Sequence, residues 1–496
     1  MNSSTTVAQP FFYCKYYNTK QLFRKEDAAP HTLQEELVPA AKSAMNKHTL
    51  KKAYNINEIP NSFSARPLEG KDLHIFYEDT IQVRTADKYT SPIQDIFDAC
   101  IYPSEDHIFI LMGHTGCGKS TELNKMADEM KSQGFMVRTV NCLADLGQTP
   151  MYTDLLILMG EALISIADEI DCSFDSDLGK AVLEFWNTEI TKITDSSDEY
   201  TIDLNAGADL DTSTVFFKIF KLFAGIKTGI KLKQMDSTEY KRKIEQRSEE
   251  WYAYIAKIAD LITEKLEGRQ PVIIFEDLDK LDRGNPEIVW DMFSVHADNL
   301  SNFSFPVIYT FPISMSYDPR FGTLTGYFIN KTLPMIELQY ADNTPCEEGF
   351  QKIKNIVWSR ADSSLFEEDA VNLMIEKTGG SLRDLFSAIR DASTRARRRK
   401  AAVINIEDAS IALDNLESDL TRRIEVKDYP FLISIINGNR RNIENREKLL
   451  EMLTANVVME YNRERWHNVH PLIKDFLQKT GQLTSDVPAE ESSAHE

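Results

Sequence analysis

The sequence lacks any apolar run of the roughly 18 residues that a membrane-spanning helix needs. Its most apolar stretch, Leu155 to Ala167, is interrupted by Glu161. Cysteine is scarce, with six in 496 residues, none of them in a C-x-x-C pair and none spaced as a disulfide framework. That excludes a bridge-stapled secreted scaffold and points to a reducing compartment, the cytoplasm. Met1 to Pro10 lacks the basic-then-apolar layout of a secretory leader. Positive charge is also short, for 56 Lys and Arg face 77 Asp and Glu, a net charge of -21. A chain this acidic is not a general nucleic-acid binder, although a local basic patch can still be one. There is no internal repeat, and no nuclease, protease or deaminase motif, so any effector chemistry is expected on another chain.

What remains is ordinary for a globular protein, with 42% hydrophobic and 27% charged residues. The length exceeds one comfortable hydrophobic core and implies two or three domains. Short apolar runs at His107 to Met112, Phe135 to Val140, Pro271 to Phe275, Phe305 to Phe311 and Thr332 to Leu338 read as strands. Helical segments separate them: one capped by Ser91 with Pro92 behind it, one from Lys119 to Gln133, one from Tyr152, and one from Ser248 to Leu266. Alternating strands and helices predict a parallel α/β sheet with helices on both faces.

One segment carries chemistry on its own. Gly113-His114-Thr115-Gly116-Cys117-Gly118-Lys119-Ser120 fits G-x-x-x-x-G-K-[ST], with an apolar strand before it and a helix after it. Glycines let backbone N–H groups wrap phosphates with no Cβ in the way. Those groups sit at a helix N-terminus, whose partial positive charge favours anions. Lys119 is placed to reach the β- and γ-phosphates, and Ser120, followed by Thr121, to offer a hydroxyl to Mg²⁺.

A second segment, Val272-Ile273-Ile274-Phe275-Glu276-Asp277-Leu278-Asp279, is an apolar strand ending in acids. A phosphate loop needs a carboxylate on the neighbouring strand to hold the magnesium shell, and a second can orient or deprotonate the attacking water. Glu276 and Asp277 are the candidates, in that order. The guanine-reading N-K-x-D signature is missing, since Asn124-Lys125-Met126 is followed by Ala127 and Asn330-Lys331 by Thr332 and Leu333. ATP is therefore the expected nucleotide.

With these residues in view, the acidic strand end resembles the hhhhDDLD motif of AAA+ and signal-transducing ATPases, with Glu276 where that pattern has Asp. This departure bears on metal geometry and turnover. Thr378-Gly379-Gly380-Ser381-Leu382-Arg383-Asp384-Leu385 opens a helix with Leu382, Leu385, Phe386 and Ile389 on one face. Here the chain resembles the helical lid of AAA+ ATPases of the origin-recognition and STAND type. The resemblance gives Arg383 the sensor role at the nucleotide phosphates and Thr310 the polar position near the γ-phosphate. Arg320 would be a trans-acting arginine finger, which STAND-like proteins often lack.

Toward the C-terminus, helices followed by strands at Val457 to Tyr461 and Arg465 to Val469 and a helix from His470 resemble a winged helix. DNA binding is one use of such a unit. Arg395, Arg397, Arg398, Arg399, Lys400, Arg422, Arg423, Arg440 and Arg441 gather nearby, and a solvated helix face is the plainer reading. Autoinhibition is the other use, because Val469-His470-Pro471-Leu472-Ile473 partly resembles the stretch by which STAND switches place a histidine on bound ADP. His470 would take that part, or simply pack. His467 and His470 have no further ligands clustered with them in sequence, which argues against a metal.

The expected layout is an N-terminal arm over 1–70, to which no role is assigned, and an ATPase core over 71–345 with an insert over 171–250. A lid over 346–420, a winged-helix-like unit over 421–482 and a disordered tail over 483–496 follow. Inside the insert, Val215 to Lys233 sets Phe216, Ile219, Phe220, Phe223, Ile226 and Ile230 on one helical face against lysines. That is a surface for a partner, a sister subunit, its own fold or a membrane surface. The whole implies an ATP- and Mg²⁺-dependent, slowly hydrolysing switch controlling homo-oligomer formation or contact with an effector, with bacterial defence as the role the resemblance implies. A DNA-remodelling ATPase and a scaffold with structural ATP are the alternatives.

Overall fold

A computed structural model describes residues 49–85, 91–102, 107–146, 150–172, 178–182, 184–185, 244–283, 287–461 and 465–483. The apolar-basic segment 215–233, nearly all of the tail, and residues 1–48 of the arm lie outside these.

After a single helical turn at Ile59–Ser62, and leaving other short turns aside, the elements in chain order are α1 (Lys71–Phe76) and α2 (Pro92–Ile101). The Ser91 hydroxyl caps α2 by accepting from the Gln94 N–H at 3.2 Å, with Pro92 at the first helical position. Then come β1 (Ile108–Gly113), α3 (Lys119–Ser132), β2 (Val137–Asn141), α4 (Tyr152–Glu169), α5 (Ser248–Lys265), β3 (Val272–Glu276), α6 (Glu287–Val295), β4 (Val307–Pro312) and β5 (Ile329–Leu333). The five strands form one parallel sheet in the order β2-β3-β4-β1-β5. The acidic strand is thus not next to the phosphate-loop strand, as the sequence reading had it. β4 lies between them.

Alternation along the strands buries both sheet faces. Ile108, Ile110, Phe275, Val307 and Tyr309 pack with α4, α5 and α6. Phe109, Leu111, Ile274 and Ile308 pack with α2 and α3. This is the expected P-loop NTPase sheet with helices on both faces.

Beyond the sheet follow α7 (Glu347–Arg360), α8 (Glu368–Lys377), α9 (Leu382–Arg398), α10 (Ile406–Thr421), α11 (Tyr429–Ile436) and α12 (Arg446–Thr454), then β6 (Val458–Tyr461), β7 (Trp466–Val469) and α13 (Pro471–Lys479). One apolar core runs through α7 to α13 and takes in Ala53, Ile56, Ile59 and Phe63. The chain is therefore already packed from Leu50 onward, well inside the expected arm. Ala53 exchanges backbone hydrogen bonds with Arg360 and Asp362, each 2.8 Å.

β6 and β7 form an antiparallel hairpin with every residue buried. It lies against the end of the sheet: the Met335 N–H donates to the Glu460 carbonyl at 3.2 Å, and the Trp466 indole N–H donates to Glu337 Oε1 at 2.9 Å. No described helix is long and apolar enough to cross a membrane.

Candidate nucleotide-binding site

The loop from Gly113 to Ser120 leaves β1 at the C-terminal edge of the sheet and enters α3. Gly116 and Gly118 have φ of 92° and 103°, the left-handed region that side-chain-bearing residues rarely occupy. At Gly116 a Cβ would also come 2.6 Å from the Arg383 Cβ. Helix α9 therefore touches the loop directly. Ser381 caps α9 by accepting from the Asp384 N–H at 3.4 Å, and Arg383 and Thr115 both line the pocket over the loop.

Lys119 is buried in this loop. Its ammonium carries three protons, and the structure gives it three acceptors: the Gly113 carbonyl at 2.7 Å, the His114 carbonyl at 3.1 Å and Asp279 Oδ2 at 2.9 Å. Burial alone would lower its pKa, but the Asp279 carboxylate beside it leaves the pKa raised. Asp279 stands on the turn that follows β3 and faces the same pocket.

Glu276 ends β3 with its carboxyl beside Ser120. Burial raises the Glu276 pKa, Ser120 opposes that, and neighbouring Asp277 adds to it. Its Oε1 is buried with no hydrogen-bond partner among the described residues. An orphaned carboxylate oxygen beside a serine hydroxyl is a donor set of hard oxygens, which suits Mg²⁺. Asp277 has φ of 67° and turns aside, accepting from Asn141 Nδ2 at 3.1 Å and pairing with Lys280.

The remaining sequence candidates sit in different surroundings. Thr310 is buried on β4, its hydroxyl donating to the Phe275 carbonyl at 3.3 Å, and it does not line the pocket. The Thr121 hydroxyl accepts from the Leu68 N–H at 3.2 Å. Cys117 is buried, and its carbonyl faces Arg84. His114 is among the residues that line the pocket, and its ring is bound to the C-terminal hairpin side of the chain. Its Nε2 accepts from the Glu460 N–H at 2.8 Å, so the ring proton is on Nδ1, 3.3 Å from Asn456 Oδ1. Burial foremost pushes its pKa down to about 3.

His470 is buried and does not line the pocket. It caps α13 by accepting from the Leu472 N–H at 3.3 Å and stands 3.6 Å from Asp384 Oδ2, on the first turn of α9. It thus meets the residue after Arg383. Arg320 pairs with Asp318 at 2.7 Å and Glu287 at 2.6 Å and stacks over Trp290. These contacts are all within its own chain, and the side chain stays partly exposed. Arg440 leaves the basic group too. It is buried, donating to the Ala341 carbonyl at 2.7 Å and Asn343 Oδ1 at 2.6 Å. Arg397, Arg398 and Lys400 are exposed at the end of α9.

Sequence reasoning missed three contributors. Asp279 was visible as the third acid of Glu-Asp-Leu-Asp, but its partner was not. Arg84 is buried, and its guanidinium donates to the Cys117 carbonyl at 2.6 Å, the Pro334 carbonyl at 2.6 Å and the Thr80 hydroxyl at 2.9 Å. It thereby clasps the phosphate loop from outside, and no motif announced it. Leu68, Phe76 and Tyr77, from the segment read as arm and loop, add apolar lining to the pocket, as does Phe386 of α9.

No curated protein matches the chain. Among solved structures, the Walker-type ATPase of Pyrococcus abyssi aligns at 15% identity and a TM-score of 0.38, covering 84% of this chain and 99% of that one. The Cdc6p protein of Pyrobaculum aerophilum aligns at 13% and 0.33, covering 83% and 99%. The ORC1 protein of Aeropyrum pernix, solved in complex with DNA, aligns at 11% and 0.33, covering 78% and 92%. By fold the chain is a P-loop NTPase, and residues 86–298 match the family model described as the KAP family P-loop domain.

Proposed function

We propose that this chain binds ATP with Mg²⁺ at the Gly113 to Ser120 loop and works as a slowly hydrolysing switch that governs its own assembly or its contact with a partner protein. Phosphates would lie on the first amides of α3, with Lys119 and Arg383 as counter-charges. The apolar lining from Leu68, Phe76, Tyr77 and Phe386 would take the base. Ser120 and Glu276 would hold the metal, which supplies charge neutralisation at the phosphates. Asp277, steadied by Asn141, is the acid nearest in sequence that can orient a water.

The observation that carries the switch reading is that two distant parts of the chain touch the loop itself. The lid reaches it through Arg383 at Gly116, and the C-terminal hairpin through the Glu460 N–H at His114. A change in loop conformation therefore has two mechanical outlets. The test has two steps. Lys119→Ala is expected to abolish ATP binding in calorimetry, and undiminished affinity would sink the nucleotide reading. Particle size in solution is then expected to differ between ADP and a non-hydrolysable ATP analogue. An identical size, with no difference in partner capture, would leave the scaffold reading ahead.

DNA contact is a second reading, favoured by exposed Arg397, Arg398 and Lys400 at the end of α9. Binding to duplex DNA that weakens steeply with added salt is its expected signature.

A further inference from the structure

All three protons of the Lys119 ammonium are already committed within the protein, to the Gly113 and His114 carbonyls and to Asp279. Both side chains of the ion pair are nearly closed off, at 7% and 6% exposure. A phosphate oxygen that takes a proton from Lys119 must therefore replace one of these acceptors. The two carbonyls belong to the loop backbone, which Arg84 and the hairpin hold in place. Asp279 is the acceptor that can yield, being a side chain on a short turn after β3.

The charge argument runs the same way. Asp279 and the Lys119 site face one pocket, and Glu276 and Asp277 stand close by on the same strand end. A phosphate entering that pocket meets a carboxylate of like sign already seated on the cation it needs.

We propose that Asp279 is an internal competitor for Lys119: a carboxylate that stands in for a nucleotide phosphate on the loop lysine and must leave before a β- or γ-phosphate is gripped. This rests on the nucleotide reading above and deepens it. Asp279 would set how tightly di- and triphosphates bind, and its displacement would move the turn over Leu278–Arg283 whenever the site fills. A competitor differs in sign from the other role open to an acid here. A metal ligand or general base at Asp279 helps the bound nucleotide, so its loss weakens binding or turnover. A competitor opposes the nucleotide, so its loss tightens binding.

The experiment measures affinities of the full chain for ADP, for a slowly hydrolysed ATP analogue and for AMP, each with Mg²⁺. It compares the unsubstituted protein, Asp279→Asn and Asp279→Ser, with melting curves to confirm folding. Two variants are used so that a folding defect in one leaves the other informative. The expected result is a gain of about fivefold or more for the di- and triphosphate, as loss of a close buried charge partner implies. AMP, which has no phosphate at the lysine, is expected to show none. Unchanged or weaker di- and triphosphate binding in the folded variants overturns the proposal while the nucleotide reading stands. If the unsubstituted protein binds none of the three, the nucleotide reading falls and the proposal falls with it.

Discussion

Glu276 holds a carboxylate where burial works against its charge, and the proximity of Asp277 adds to the strain that Ser120 partly relieves. Its pKa in the folded protein is raised. A carboxyl raised in this way stabilises the fold while it is protonated, and that contribution is lost as pH climbs through the folded value. Glu276→Gln is therefore expected to raise stability at pH 8 without Mg²⁺ by about 1 kcal/mol and to gain nothing at pH 4. It should also weaken the Mg²⁺ dependence of nucleotide binding. Melting curves at the two pH values check the first part, and a loss of stability at pH 8 would contradict it. At this scale the sequence was legible wherever chemistry demands fixed spacing, as for Lys119, Ser120 and Glu276. It was silent where a residue works through space. Arg84 touches the loop from an earlier segment, and Asp279 reaches Lys119 only because the sheet brings the ends of β1 and β3 to one edge.

Among the elements, the hairpin of β6 and β7 carries the least obvious duty. It presents a backbone N–H, that of Glu460, to a side chain of the phosphate loop. His114→Ala is expected to leave that buried donor unpaired, at a cost of about 1–3 kcal/mol in urea denaturation. The wild-type contact also has a pH signature. The folded pKa of His114 is pushed down to about 3 from an ordinary 6.5, so its contribution is complete above about pH 6.5 and is lost as pH falls toward 3. His114→Gln should flatten the stability slope over that window, and an unaltered slope would place the titration elsewhere.

The buried strands β1, β3 and β4 were readable from their apolar runs. The run read at Thr332 to Leu338 was misplaced, because it is more apolar than the true edge strand Ile329–Leu333, most of which is only half-buried. Pro334 has no N–H to give a ladder and ends β5 there. The apolar residues after it turn to meet the hairpin instead.

Across the whole molecule, α7 to α13 share one uninterrupted core with residues 53–63. An expected boundary near residue 421 is thus a boundary in sequence pattern rather than in packing. Removal of residues 422–496 is expected to expose Leu420 and the inner faces of α8 and α10. The result should be loss of the cooperative melting transition rather than a smaller, equally stable protein. Calorimetry of the truncated chain checks this, and a sharp transition at an unchanged temperature would refute it.

The strand order has one more consequence. The stretch that matches the KAP family P-loop domain, residues 86–298, begins just after Arg84 and ends before β4. Cut out alone, it would keep β1 and β3 but lose the strand that joins them, together with the clasp on Cys117 and the apolar lining from Leu68 to Tyr77. What matches as a recognisable unit is here not a unit of folding. A swap made at those borders would carry the signature of the site and leave behind the parts that hold it closed.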